Sequence, residues 1–233
     1  MVLTGIALGA VVLAVWLVLR WASRRRDSLG RPRPFPRISL GLALLLAVAA
    51  GIPSVQHALL ERRLSAAAGR LVGTGVSVHC QTFGETWTDL GSELGSVRFD
   101  ADGVPEKKTL IKLQPCRDLA DWLQVAGKAR KAGSAHPPAS DNLDQVIAVH
   151  VLTHEAMHMS GVTDEAVAEC EAMQRDVRLA RSLGATQDGA RSMARHYWLE
   201  VYPRMPDGYR SGECRPGGAL DEHKADAPWE TTD

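Results

Sequence analysis

Two runs without a charged side chain, Met1–Leu19 and Ile38–Gln56, limit what this chain can fold into more than any other feature. Each is 19 residues long, and a helix of about 20 residues crosses the hydrocarbon core of a bilayer. The second run is rich in Leu, with Val48, Ile52 and Val55 following. Between the runs, residues 20–37 carry seven arginines (Arg20, Arg24, Arg25, Arg26, Arg31, Arg33 and Arg37) against one acid, Asp27. Short basic loops stay in the cytoplasm. The expectation is a transmembrane helix over 1–19, a cytoplasmic Arg-rich loop over 20–37 that could touch lipid head groups, and a second transmembrane helix over 38–56. The N-terminus and everything beyond residue 56 then lie outside the cytoplasm. A cleaved signal peptide is the alternative for the first run, but such peptides open on positive charge, which this run lacks.

Residues 57–233 hold 26 acids and 20 bases, a formal charge of −6. A mildly acidic domain does not point to nucleic acid. The four cysteines, Cys80, Cys116, Cys170 and Cys214, all fall here. An even count outside the cytoplasm favours two disulfides. Four cysteines allow three pairings. Proximity along the chain favours Cys80–Cys116 and Cys170–Cys214, and no C-x-x-C pair suggests a thiolate metal site.

Beyond the second run, residues 57–75 read as a helical stalk ended by Gly73 and Gly75. Residues 76–83, 95–99 and 109–113 alternate or cluster as strands, with turn-forming residues over 100–105, giving a small antiparallel sheet. Helices follow over 116–132, from Asn142 to a stop at Gly161, over 165–183 and over 187–202. Pro137 and Pro138 block an early start of the second of these, Ser140 or Asp141 can cap it, and Gly161 stops it. The fold class is therefore α+β. It comprises two transmembrane helices, then a mainly helical extracytoplasmic domain over 76–220, and a disordered tail over 221–233.

The strongest chemical signal is His154-Glu155-Ala156-Met157-His158, an H-E-x-x-H pattern inside the second helix. Residues four apart share a helix face, so His154 and His158 can hold one metal ion between two imidazoles, with Glu155 one step round. An acid just past the Gly161 reversal could supply a third ligand. Glu165 and Glu169 lie four apart on the next helix, while Asp164 is well placed as its N-cap. If one glutamate binds the metal, the other can orient a histidine. His150 lies one turn before His154 on the same face. His196, Tyr197, Tyr202 and Tyr209 are candidate donors to a developing oxyanion, and nothing in the sequence selects among them.

The motif and its helix–reversal–helix context resemble the zincin superfamily of zinc metallopeptidases, closest to a gluzincin-like arrangement. The segment His154 to Asp164 also resembles the metzincin pattern, with aspartate replacing its third histidine. The arrangement as a whole is similar to small bacterial membrane proteins with an outward H-E-x-x-H domain. The resemblance implies zinc on His154, His158 and Glu165 or Glu169, with Glu155 as general base on a zinc-bound water. It implies hydrolysis of peptide or protein substrates near the membrane surface. The alternative is a zinc-stabilised or metal-free ectodomain that binds a partner without catalysis.

Overall fold

The computed structural model describes residues 2–23, 30, 34–89, 91–131 and 142–229. They divide into two compact units, Met1–Leu59 and Leu60–Asp233. The first contains α1 (Val2–Ser23) and the beginning of α2 (Arg37–Val72). Both helices are long and apolar enough to cross a membrane. Most of the loop expected between them, residues 24–29 and 31–33, lies outside the described residues.

The second unit begins inside α2. Leu64, Ala67 and Ala68 are fully buried there, a three-four stripe that packs a helix into a core. The segment expected to be a stalk is thus partly core. Its small residues let neighbours approach closely, which composition alone did not reveal.

The sheet is mixed, not antiparallel. β1 (Ser77–Cys80) runs parallel to β3 (Pro105–Ile111), and β3 is antiparallel to β2 (Gly95–Phe99), in the order β1-β3-β2. β2 and β3 form a hairpin closed by Asp100, whose N–H donates to the Val104 carbonyl, with Gly103 at φ 76°. The long link from β1 lets β2 take the far edge, so β1 lands beside β3 pointing the same way. β3 also starts earlier than expected and gives way to helix at Leu113.

α3 (Leu113–Lys131) buries Leu119, Trp122 and Ala126. α4 (Leu143–Ser160) packs between the sheet and the later helices. Its N-cap is Asn142, whose side chain accepts from Gln145 N–H at 3.3 Å. The expected caps Ser140 and Asp141 lie outside the described residues, as do Pro137 and Pro138. Gly161 stops α4 at φ 123°, a conformation open to glycine.

The helix expected over 165–183 is broken into α5 (Glu165–Met173) and α6 (Asp176–Ser182). At the break, Gln174 donates to the Leu220 carbonyl and accepts from Glu222 N–H. The last helix is likewise shorter than expected. α7 (Gln187–His196) passes into a π-helical turn, Tyr197–Val201, and a 3-10 turn, Tyr202–Arg204.

The tail expected to be disordered is ordered through residue 229. Ala227 and Trp229 are buried, Trp229 meets Trp198 at 5.9 Å, and Glu222 pairs with Arg175 at 2.8 Å. Its polar composition concealed two apolar anchors. Disulfides Cys80–Cys116 and Cys170–Cys214 close the unit across 36 and 44 residues. In the chain-entropy view, loops of that size stabilise by about 4 kcal/mol each.

Candidate metal centre

Helix α4 brings its motif into a cleft of about 480 Å³ between β2, α5 and the turns after α7. His154 and His158 are four apart and present their Nε2 atoms to one point, 2.9 Å from each other. Asp164 caps α5 by accepting from Val167 N–H at 2.9 Å. That cap starts the helix so that Glu165 reaches the same point. Glu165 Oε2 lies 3.0 Å from His154 Nε2 and 3.2 Å from His158 Nε2.

The hydrogen bonds on the far side of each ring define the chemistry of this convergence. His158 Nδ1 lies 2.7 Å from the Val162 carbonyl, which only accepts, so that nitrogen carries the proton. His154 Nδ1 lies 3.0 Å from Glu169 Oε2, a carboxylate acceptor. In the neutral tautomers both Nε2 atoms are then bare lone pairs, facing each other and a carboxylate oxygen. Three acceptors within 3.2 Å need a positive charge among them. Ligands 2.0–2.1 Å from a tetrahedral zinc stand about 3.3 Å apart, close to the spacings seen. The two-imidazole, one-carboxylate set suits zinc. The same acceptors favour a proton, too. Burial lowers the pKa of His154, but Glu165 and Glu169 outweigh it and hold the ring up at about 9.

Behind His154 lies a buried ionic network. Glu169 Oε2 contacts His154 and also His150 Nε2 at 3.0 Å, the latter as an ion pair outside hydrogen-bond alignment. Glu169 Oε1 accepts from the Tyr197 hydroxyl at 2.6 Å. His150 Nδ1 lies 2.8 Å from Asp176 Oδ2, and the ring stacks on Tyr197 at 3.6 Å. Both nitrogens of His150 face carboxylates, so it is an imidazolium. Burial opposes that charge, yet Asp176 and Glu169 raise it to about 10. Burial would raise Glu169, but His150 and His154 hold it below the usual range. With His154 neutral, as a metal ligand must be, Glu165, Glu169 and Asp176 bring three carboxylates against the one positive charge on His150. A divalent cation would balance the cluster.

Glu155 lines the same cleft, buried against Gly95 of β2. Its polar contact with the protein is long, Thr109 Oγ1 at 3.4 Å. Burial pushes its pKa up to about 7, against smaller lowering effects of His154 and Thr109. Gly95 makes room for it: a Cβ there would stand 2.7 Å from Glu155 Oε1.

Glu165 therefore joins the two histidines at the convergence point, while Glu169 lies behind His154. Asp164 is a cap. Among the four candidate donors, Tyr197 is committed to Glu169, and the Tyr202 hydroxyl to both backbone groups of Ser211. His196 lines a separate hollow with Leu143 and Arg195. Tyr209 lines the cleft, 5.8 Å from the His154 ring, and its hydroxyl makes no hydrogen bond among the described residues. Asp176, Gly95 and Thr109 escaped the sequence reading, since each acts from a different element with no fixed spacing to the motif.

No family model matches this chain. No curated protein and no solved structure matches it either.

Proposed function

We propose that the protein is a membrane-anchored zinc peptidase acting outside the cytoplasm. The observation that carries this is the meeting of three donor atoms within 3.2 Å beside a buried, weakly bonded Glu155 in an open cleft. A structural zinc site closes with a fourth protein ligand. Here three converge, and Glu165 remains 47 % exposed toward solvent, which favours catalysis over a purely structural metal.

When bound, zinc would polarise a peptide carbonyl and make water a nucleophile at neutral pH. Glu155 takes a proton from the attacking water and returns it to the departing nitrogen. Its raised pKa, near 7, suits both halves of that cycle. Tyr209 donates its hydroxyl to the oxygen that gains negative charge. Glu169 fixes the tautomer of His154, as the Val162 carbonyl does for His158.

The anchoring half of the proposal rests on different residues. In α1 and α2, Leu8, Val12, Leu19, Ile38 and Leu45 are more than half exposed, which suits lipid and not water. The arginines at 20–37 favour a cytoplasmic loop. Two disulfides beyond residue 56 fit an oxidising compartment.

The test is elemental analysis of the full chain in detergent, with a peptide-library screen. About one zinc per chain, lost in His158→Ala, and cleavage lost in Glu155→Gln with zinc retained are expected. A wild-type chain that takes up no zinc under metal-replete conditions would overturn the reading.

A further inference from the structure

Helix α2 carries two arginines on one side of its second half. Arg63 and Arg70 are seven residues apart, two helical turns or about 10.5 Å along the axis, with Ala66 between them. All three line a hollow of about 350 Å³ that α2 shares with α3 and the end of α6. No acid lines this hollow among the described residues, although residues 57–233 carry a formal charge of −6. The protein does not use up these cations. Arg63 is exposed and makes no hydrogen bond or ion pair among the described residues. Arg70 donates from Nη2 to the Ser182 carbonyl at 3.4 Å, at the end of α6. Arg178 Nη2 donates to the Arg70 carbonyl at 3.1 Å. A third guanidinium thus stands close by, and none of the three has a carboxylate partner among the described residues. Like charges gathered in one place repel unless an anion joins them.

The opposite wall contributes a glycine that packing does not require. Gly127 lies inside α3, where glycine is less stable than alanine. Its neighbour across the hollow, Gly184, has a structural reason. Gly184 adopts φ 101°, and a Cβ there would stand 3.4 Å from the Ala126 Cβ. A Cβ on Gly127 would meet no atom within 4 Å. The missing side chain instead leaves the backbone of α3 open to whatever enters the hollow, and close approach of backbone to a ligand is one use of glycine.

We propose that this hollow binds a phosphate group, held over Ala66 between the guanidiniums of Arg63 and Arg70. A phosphate monoester carries nearly two negative charges at neutral pH, which two arginines match. Guanidinium forks take phosphate oxygens in pairs. The volume is at the lower end for a ligand pocket, enough for a small body beside the phosphate, with Leu123 and Ala126 as its apolar floor. A soluble phosphate ester and a lipid head group both offer this chemistry. The proposal is independent of the metal centre and of the peptidase reading.

Calorimetric titration of the full chain in a neutral maltoside detergent tests this, with inorganic phosphate and, separately, with dihexanoyl phosphatidic acid. Saturable binding of one phosphate group per chain is expected. It should be about tenfold or more weaker in Arg63→Gln and lost in Gly127→Leu, which fills the hollow. Arg63 has no partner to lose, so its variant should keep the wild-type melting temperature. Phosphate held elsewhere, at a bound metal for example, is unaffected by either change. Arg63-dependent binding of inorganic phosphate supports the site and a soluble ligand. Arg63-dependent binding of phosphatidic acid alone supports the site with a lipid head group as its source. Binding equally strong in the wild type and in Arg63→Gln would overturn the site, as would no binding of either probe.

Discussion

Glu155 and Glu169 are both buried carboxylates, 4 % and 1 % exposed, and the structure pushes their pKa values apart. Glu155 faces the sheet, with one long contact to Thr109, and is raised to about 7 by burial. Glu169 lies between two histidines of α4 and the tyrosine of the π-helical turn, and is held ionised against the same burial. Environments that separate the pKa values of neighbouring acids mark different roles. A carboxylate that passes protons must be loosely held near neutrality. One that orients a ring must keep its charge.

The hardest test of this contrast is paired substitution. Glu155→Gln should lower peptide cleavage by about 10²–10⁴-fold, the worth of a positioned general base, with zinc content unchanged. Glu169→Gln should weaken zinc binding by about 10–100-fold, measured by competition with a chromogenic chelator. If both variants lose zinc equally, the division of roles fails.

Stability should move in opposite directions. The folded pKa of Glu155 lies above its unfolded value of 4.5. Its ionisation therefore costs nothing below about pH 4.5, and the cost grows to its full value as pH rises through about 7. In chelator-treated protein, Glu155→Gln should raise the melting temperature at pH 8 and leave it unchanged near pH 4. Glu169 is the reverse, with its folded pKa depressed. Its contribution is present above pH 4.5 and fades as pH falls well below that, so Glu169→Gln should lower the melting temperature at pH 8. Calorimetry at the two pH values checks both signs.

A smaller effect tests how loosely Glu155 is held. Gly95→Ala places a Cβ 2.7 Å from its Oε1, so the carboxylate must shift. A shift of an ångström costs about 10²-fold in a positioned group. The expected outcome is reduced kcat with zinc retained. The smallest effect is expected from Tyr209→Phe, which removes one donor. It should lower kcat by at most about 10²-fold and leave both zinc affinity and melting temperature in place.

The helical face carrying His154 and His158 was legible because a period of 3.6 is written in adjacent residues. So were the Asp164 cap, the Gly161 stop and the apolar runs that became α1 and α2. Each depends on residues within a few positions of one another. The disulfide pairing was reached from proximity along the chain, and the structure forms the same two bonds. The antiparallel sheet was a misreading, because strand order depends on where a link passes and not on the strands themselves. The breaks at Gln174 and Tyr197 were hidden because their helical periodicity continues. The first break docks the C-terminal segment, and the π-helical turn places Tyr197 over His150.

The sequence by itself thus determined the two apolar helices, the pair of histidines and the acids available to join them. Tertiary structure alone decided which acid did what. Glu165 and Glu169 lie on one face of α5 and are alike in sequence. One meets the Nε2 atoms and the other meets Nδ1, because the reversal at Gly161 fixes how α5 crosses α4. A carboxylate's role is set by the charges and dielectric around it. Those come from His150, Asp176, Gly95 and Thr109, residues brought together only when the chain folds.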